Sequence, residues 1–150
     1  MTKIYTITDQ MNKAFSYQKI KKKGYKYKTA HYYSVNLNFM PGFALDNNFF
    51  SISADGLLGI RAAYAWDGAS GPTFDTKSTM RASCVHDVLY QAIRENLLPL
   101  KFKDDADREL ARIMIEDSNT SWFNRFRAKY YYWGVRLFGR WSCVPNPLPL

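Results

Sequence analysis

The stretch from Ser78 to Leu98 holds neither glycine nor proline and is rich in good helix formers, while ahead of it Tyr25 to Lys28 alternates tyrosine with lysine and Thr29 to Leu37 continues with aromatic and β-branched residues. That switch of pattern divides the sequence into a β half and a helical half. A helix is expected over Thr79 to Asn96, with Pro99 beyond its end. Asp104 is the expected N-cap of a second helix running to about Asp117, and Ser121 that of a third, Trp122 to Phe138. The tail from Val144 to Leu150 carries three prolines, Pro145, Pro147 and Pro149, and is expected to be extended.

Ahead of the helices, Lys21 to Lys28 reads Lys-Lys-Lys-Gly-Tyr-Lys-Tyr-Lys, and Thr29 to Leu37 continues with aromatic and β-branched residues. The alternation from Tyr25 to Lys28 suits a strand with one wet face. The lysines fit either a binding patch or an edge strand protected by charge. Met40-Pro41-Gly42-Phe43 is a break, and Ala54-Asp55-Gly56 reads as a hairpin turn between Phe49–Ser53 and Leu57–Trp66. Trp66 to Phe74 reads Trp-Asp-Gly-Ala-Ser-Gly-Pro-Thr-Phe, a tight loop. No repeat or linker divides the chain. One domain is expected over 1–150, with 1–66 β-rich, 67–141 forming a loop and three helices, and 142–150 the extended tail.

A hydrophobic content of 47% is that of a globular chain with a true core. The net charge of +8 and an aromatic content of 17% suit anionic lipid, nucleic acid or an acidic protein, and do not choose among them. No nucleic-acid motif is present, so nucleic acid is the least expected partner. Cys84 and Cys143 do not make a disulfide framework and are expected to be reduced. The start, Met1 to Gln10, lacks the apolar segment of a secretory signal, and no apolar run reaches spanning length. Synthesis in the cytoplasm is the corresponding expectation.

The candidate chemistry lies on the first two helices. Asp107, Leu110, Ala111, Met114 and Ile115 share one helical face, and a carboxylate on an apolar face needs a partner. The bland alternative places Asp107 at the third helical position after an Asp104 cap, serving exposed amides. His86, Tyr90 and Ile93 form a stripe on the preceding helix. A short link from Leu97 to Lys103 would bring His86 to Asp107, making either an oriented base or a packed core histidine. Asp87 points about 100° around the helix from His86 and could bind a hard cation, with Asp67 and the Gly68 backbone completing the shell.

Cys84-Val85-His86-Asp87-Val88-Leu89-Tyr90 resembles the catalytic helix of phospholipase A2 enzymes. Asp107-Arg108 resembles the second-helix aspartate that holds the histidine there, and Trp66-Asp67-Gly68-Ala69-Ser70 is similar to the calcium loop. The likeness covers Trp66 to about Asp117. From about Met40 to Phe138 the chain also resembles an uncharacterised family encoded by tailed phages, which combines the same loop, a His-Asp-x-x-Tyr helix and an Ala-Asp helix. The departures are Ala69, where a loop cysteine would stand, and Cys84, which is offset by one position.

These resemblances imply an α+β fold: a small antiparallel sheet with hairpins, followed by a phospholipase A2-like antiparallel helical core. They imply a calcium-dependent lipid ester hydrolase with His86, Asp107 and Tyr90 as catalytic residues and Asp67, Gly68 and Asp87 as the metal site. Carriage in a virion tail, other tail proteins as partners, and action on an anionic phospholipid membrane follow from them. The segment Trp122 to Trp141, with five basic residues and no acid, suits either such a membrane surface or packing on the sheet. The other reading is a non-catalytic tail or baseplate protein that keeps the scaffold alone.

Overall fold

The computed structural model describes residues 2–68, 76–118, 128, 129 and 132. Eight strands precede two helices: β1 (Ile4–Thr8), β2 (Ala14–Lys22), β3 (Tyr25–Thr29), β4 (Tyr33–Asn36), β5 (Leu45–Asp46), β6 (Phe50–Ile52), β7 (Leu57–Ile60) and β8 (Ala65–Trp66). The helices are α1 (Lys77–Arg94) and α2 (Lys103–Asp117), joined through a 3-10 turn at Leu100–Phe102. The strands make two antiparallel four-stranded sheets, in the orders β1-β2-β3-β8 and β4-β7-β6-β5.

Local chemistry sets the turns. Asp9 Oδ1 accepts the backbone N–H groups of Met11 and Lys13 and closes the β1–β2 connection. The lysine-rich stretch is not one strand: it turns at Gly24, whose φ of 85° suits glycine, and returns as β3. The expected Ala54–Gly56 turn is present, with the Gly56 N–H donating to the Ser53 carbonyl. Gly56 has a φ of 92°, and an added Cβ would strike the Phe39 carbonyl. Gly56→Ala is therefore expected to cost about 1–3 kcal/mol of stability in a denaturant titration.

Aromatic side chains fill the inner face of the first sheet. Phe15, Tyr17 and Tyr27 surround the Trp66 ring, with centroids 5.5–6.0 Å from it. The second sheet contributes Val35, Phe50, Ile52, Leu58 and Ile60 to the same core.

Helix α1 starts with a capping box in which the Thr76 N–H donates to Thr79 Oγ1 at 2.9 Å. It is buried on nearly every side, and its polar residues Thr79, Arg81, Ser83 and His86 are buried with the apolar ones. Trp66 Nε1 donates to Ser83 Oγ at 3.1 Å, and the Tyr64 hydroxyl to Gln91 Oε1 at 3.1 Å, tying α1 to the first sheet. Arg81 Nη1 donates to the Tyr33 hydroxyl at 2.9 Å, tying it to the second.

These ties correct the expected architecture. Among the described residues the chain is α+β, but its β part is two sheets of four strands, and the two helices do not form a separate phospholipase A2-like helical core. The physical reason is the burial of α1: besides packing on α2, it is hydrogen-bonded through Ser83 and Gln91 to the first sheet's end and through Arg81 to the second. The α2 start is corrected too. The 3-10 turn after Pro99 carries the chain into the helix early, so Asp104 lies in the first turn and is not the N-cap. The inward face of α2 includes Ala106 and Ile113, whereas Ile115 is 41% exposed. The third helix, the tail, Cys143 and the loop positions Ala69 to Phe74 lie outside the described residues, save that Ala128, Lys129 and Tyr132 are helical. Among the described residues no helix is long and apolar enough to cross a membrane.

Candidate functional site

Contacts between Arg81 and Asp117 at one end, and between Tyr90 and Asp107 at the other, show that α1 and α2 run antiparallel. This brings His86 against Asp107. His86 Nε2 lies 2.8 Å from Asp107 Oδ1, and the Tyr90 hydroxyl donates to the same oxygen at 2.5 Å. Lys103 Nζ donates to Asp107 Oδ2 at 2.7 Å, one helical turn before it. Asp107 is fully buried and is the fifth residue of α2, so it serves these three donors and not the first-turn amides.

Burial by itself would raise the Asp107 carboxyl. The hydrogen bonds from His86, Lys103 and Tyr90 outweigh it and hold the group below its ordinary pKa. An ionised carboxylate only accepts, so His86 Nε2 carries the proton and Nδ1 is the basic nitrogen. The His86 and Tyr90 rings lie 3.9 Å apart between centroids, which restricts rotation of the imidazole. The arrangement can orient a base, and it also locks two helices together. Asp107 contributes stability that is present above the unfolded carboxylate pKa and lost as pH falls through its lower native value.

Asp87 does not join this cluster. It is half-buried and lines a cleft of ≈ 290 Å³ with Asp67, Tyr64, Gln91, Arg94 and Tyr25. Burial pushes its carboxyl up to about 7; Arg94 opposes this and Asp67 adds to it. Among the described residues Asp87 makes no hydrogen bond or ion pair. Asp67 is exposed beside Lys26, 3.8 Å away, and Gly68 follows with a φ of 80°. The six expected site residues thus fall into two groups: His86, Tyr90 and Asp107 in the buried cluster, and Asp67 and Asp87 on the cleft with Gly68 beside them.

Two features escaped the sequence reading. Lys103 belongs to α2 and not to the link that ends there, and its spacing of four residues from Asp107 is the signal of a helical ion pair. Arg81 was not singled out. It is 1% exposed and forms a second buried cluster: Nε and Nη2 grip the two Asp117 oxygens at 2.9 Å each, and Nη2 also reaches Glu116. The Tyr33 hydroxyl accepts from Arg81 and donates to Asp9 Oδ2 at 2.7 Å. Burial lowers the Arg81 pKa, but the Asp117 hydrogen bond and the surrounding charges together raise it, so the guanidinium stays charged. Compared with protein-family models, curated proteins and solved structures, the chain matches none.

Proposed function

We propose that this chain is a calcium-assisted hydrolase of lipid esters, with His86 as its general base. The observation that carries the reading is the 2.8 Å contact between His86 Nε2 and a buried, ionised Asp107. Asp107 fixes the tautomer, Tyr90 and Lys103 fix Asp107, and His86 Nδ1 is left to take a proton from water. That water attacks the ester carbonyl, the acyl C–O bond breaks, and the imidazolium returns the proton to the departing alkoxide.

The residues on the cleft fit a hard divalent cation. Asp67 and Asp87 put two coupled carboxylates on one cleft, and Asp87 accepts no hydrogen bond among the described residues. No group of three His, Cys, Asp or Glu side chains suited to a metal occurs among the described residues. Carbonyls and water would therefore complete the shell, which suits calcium better than magnesium. Bound there, calcium would supply positive charge for the developing oxyanion.

In this reading the protein is phage-encoded, is carried with other tail proteins and acts on an anionic phospholipid membrane. The test is fatty-acid release from anionic phospholipid vesicles by the purified protein. Release that requires calcium is expected; none at any calcium level would contradict the proposal. The metal has its own readout. Millimolar calcium is expected to raise the melting temperature by mass action, and magnesium to do less. Asp87→Asn is expected to remove the calcium effect and to raise the calcium-free melting temperature, because it relieves the repulsion from Asp67.

One observation favours a second reading. Asp107 is saturated by three donors and His86 is only 6% exposed, as in a cluster whose work is to join α1 to α2. A non-catalytic tail or baseplate protein would show this geometry with no hydrolysis, and its particles would assemble normally with His86→Gln.

A further inference from the structure

The β2–β3 hairpin carries a charge pattern that the fold does not use. Lys19, Lys21, Lys22, Lys23, Lys26 and Lys28 fall within its length, and no Asp or Glu occurs from Gln10 through Leu45. In the sheet order β2 lies between β1 and β3, but the hairpin outruns both of its neighbours. The neighbours stop short of the hairpin's end. Pairing with β1 ends at Ile4 with Gln18, and β8 meets β3 only at Tyr27 and Lys28.

From Ile20 to Lys26 the two strands therefore have only each other. They form a ribbon that projects past the sheet, with a register shift between Lys19 and Lys22 and the turn at Gly24. Lys21, Lys22, Lys23 and Lys26 are exposed along it, and Tyr25 is 44% exposed with Lys22 Nζ 6.0 Å from its ring centre. Of the six lysines, Lys26 alone makes an ion pair among the described residues, the weak one to Asp67. Gly24 and Tyr25 also line the cleft that holds Asp67 and Asp87.

We infer that this ribbon is a docking surface for an anionic phospholipid bilayer, seated so that the headgroup plane meets the mouth of the Asp67–Asp87 cleft. The inference rests on the lipid-ester reading for its choice of occupant and adds where the membrane sits. Lysines beside a tyrosine at a projecting tip match the headgroup level of a membrane.

The test uses the full chain, sedimented with vesicles of phosphatidylcholine alone or of equimolar phosphatidylcholine and phosphatidylglycerol. Strong preference for the phosphatidylglycerol vesicles is expected, weakening as salt rises. The variant with Lys21→Gln, Lys22→Gln and Lys23→Gln is expected to lose about 100-fold in partition, since each lysine near an anionic surface contributes about fivefold. Its near-ultraviolet circular dichroism and its rate on a soluble short-chain ester should match wild type. Vesicle binding without hydrolysis would support the docking surface while removing the hydrolase. Equal partition onto both vesicle types, or partition unchanged in the lysine variant, would overturn the inference. Tighter binding to a single-stranded oligonucleotide than to the anionic vesicles, lost in the same variant, would overturn the bilayer as its occupant.

Discussion

Arg81→Met is expected to lower the unfolding free energy by about 3–5 kcal/mol, the usual cost of removing one partner from a buried ion cluster. The substitution keeps much of the apolar bulk and removes every donor. Asp117 loses both its guanidinium contacts, and Tyr33 loses the donor that links it to α1. Asp117 and Glu116 are then left beside each other without their shared cation. Native stabilities lie at only about 5–15 kcal/mol, so this one change could remove half of the total. A urea titration should show the midpoint falling by about 2 M with an unchanged slope. A fall below about 1 kcal/mol would mean that the cluster is not closed in solution.

Asp107→Asn is the second large effect, and its loss should come chiefly through Lys103. The amide keeps an acceptor for His86 or Tyr90 but no longer balances the Lys103 ammonium, whose side chain is 11% exposed. A loss of about 3 kcal/mol is expected, against about 1 kcal/mol for His86→Gln, which leaves the Asp107–Lys103 pair intact. Adding Lys103→Met to Asp107→Asn should recover part of that loss, because the uncompensated charge is then gone. The double-mutant cycle over the two positions measures the coupling, expected to exceed 1 kcal/mol. Strict additivity would show that Lys103 reaches solvent and does not depend on Asp107.

The features that were legible in the sequence are the local ones. The Ser53–Gly56 turn, the presence of α1 (at Lys77–Arg94, two residues earlier at each end than expected) and the end of α2 at Asp117 follow from glycine, proline and helical spacing, which act over a few residues. The approach of His86 to Asp107 was legible because two helical stripes and a short link leave little freedom. The features that were missed depend on distant partners. Arg81, Ser83 and Thr79 look like a wet helix face, yet Arg81 is satisfied by Asp117, 36 positions away, and by Tyr33, 48 positions away. With such partners a polar face can be buried, and α1 is tied to both sheets as well as packed on α2. The turn at Gly24 lies between a lysine run, Lys21 to Lys23, and the short alternation Tyr25 to Lys28, and the pairing of β2 with β3 is what reveals it. The Pro99–Phe102 turn starts α2 two residues early, so Asp107 is its fifth residue and lies in the interior, not at the third position after a cap.

The central claim is that the His86–Asp107 pair is a working base and not only a clasp between helices. The most direct test compares fatty-acid release from anionic phospholipid vesicles by wild type and by His86→Gln, at saturating calcium and with melting temperatures measured in parallel. The account predicts calcium-dependent release by wild type. It predicts a fall of about 10²–10⁴-fold in the variant, because oriented general-base catalysis contributes that much, with the fold retained. Release by His86→Gln within a few-fold of wild type, or no release from either protein, would contradict it.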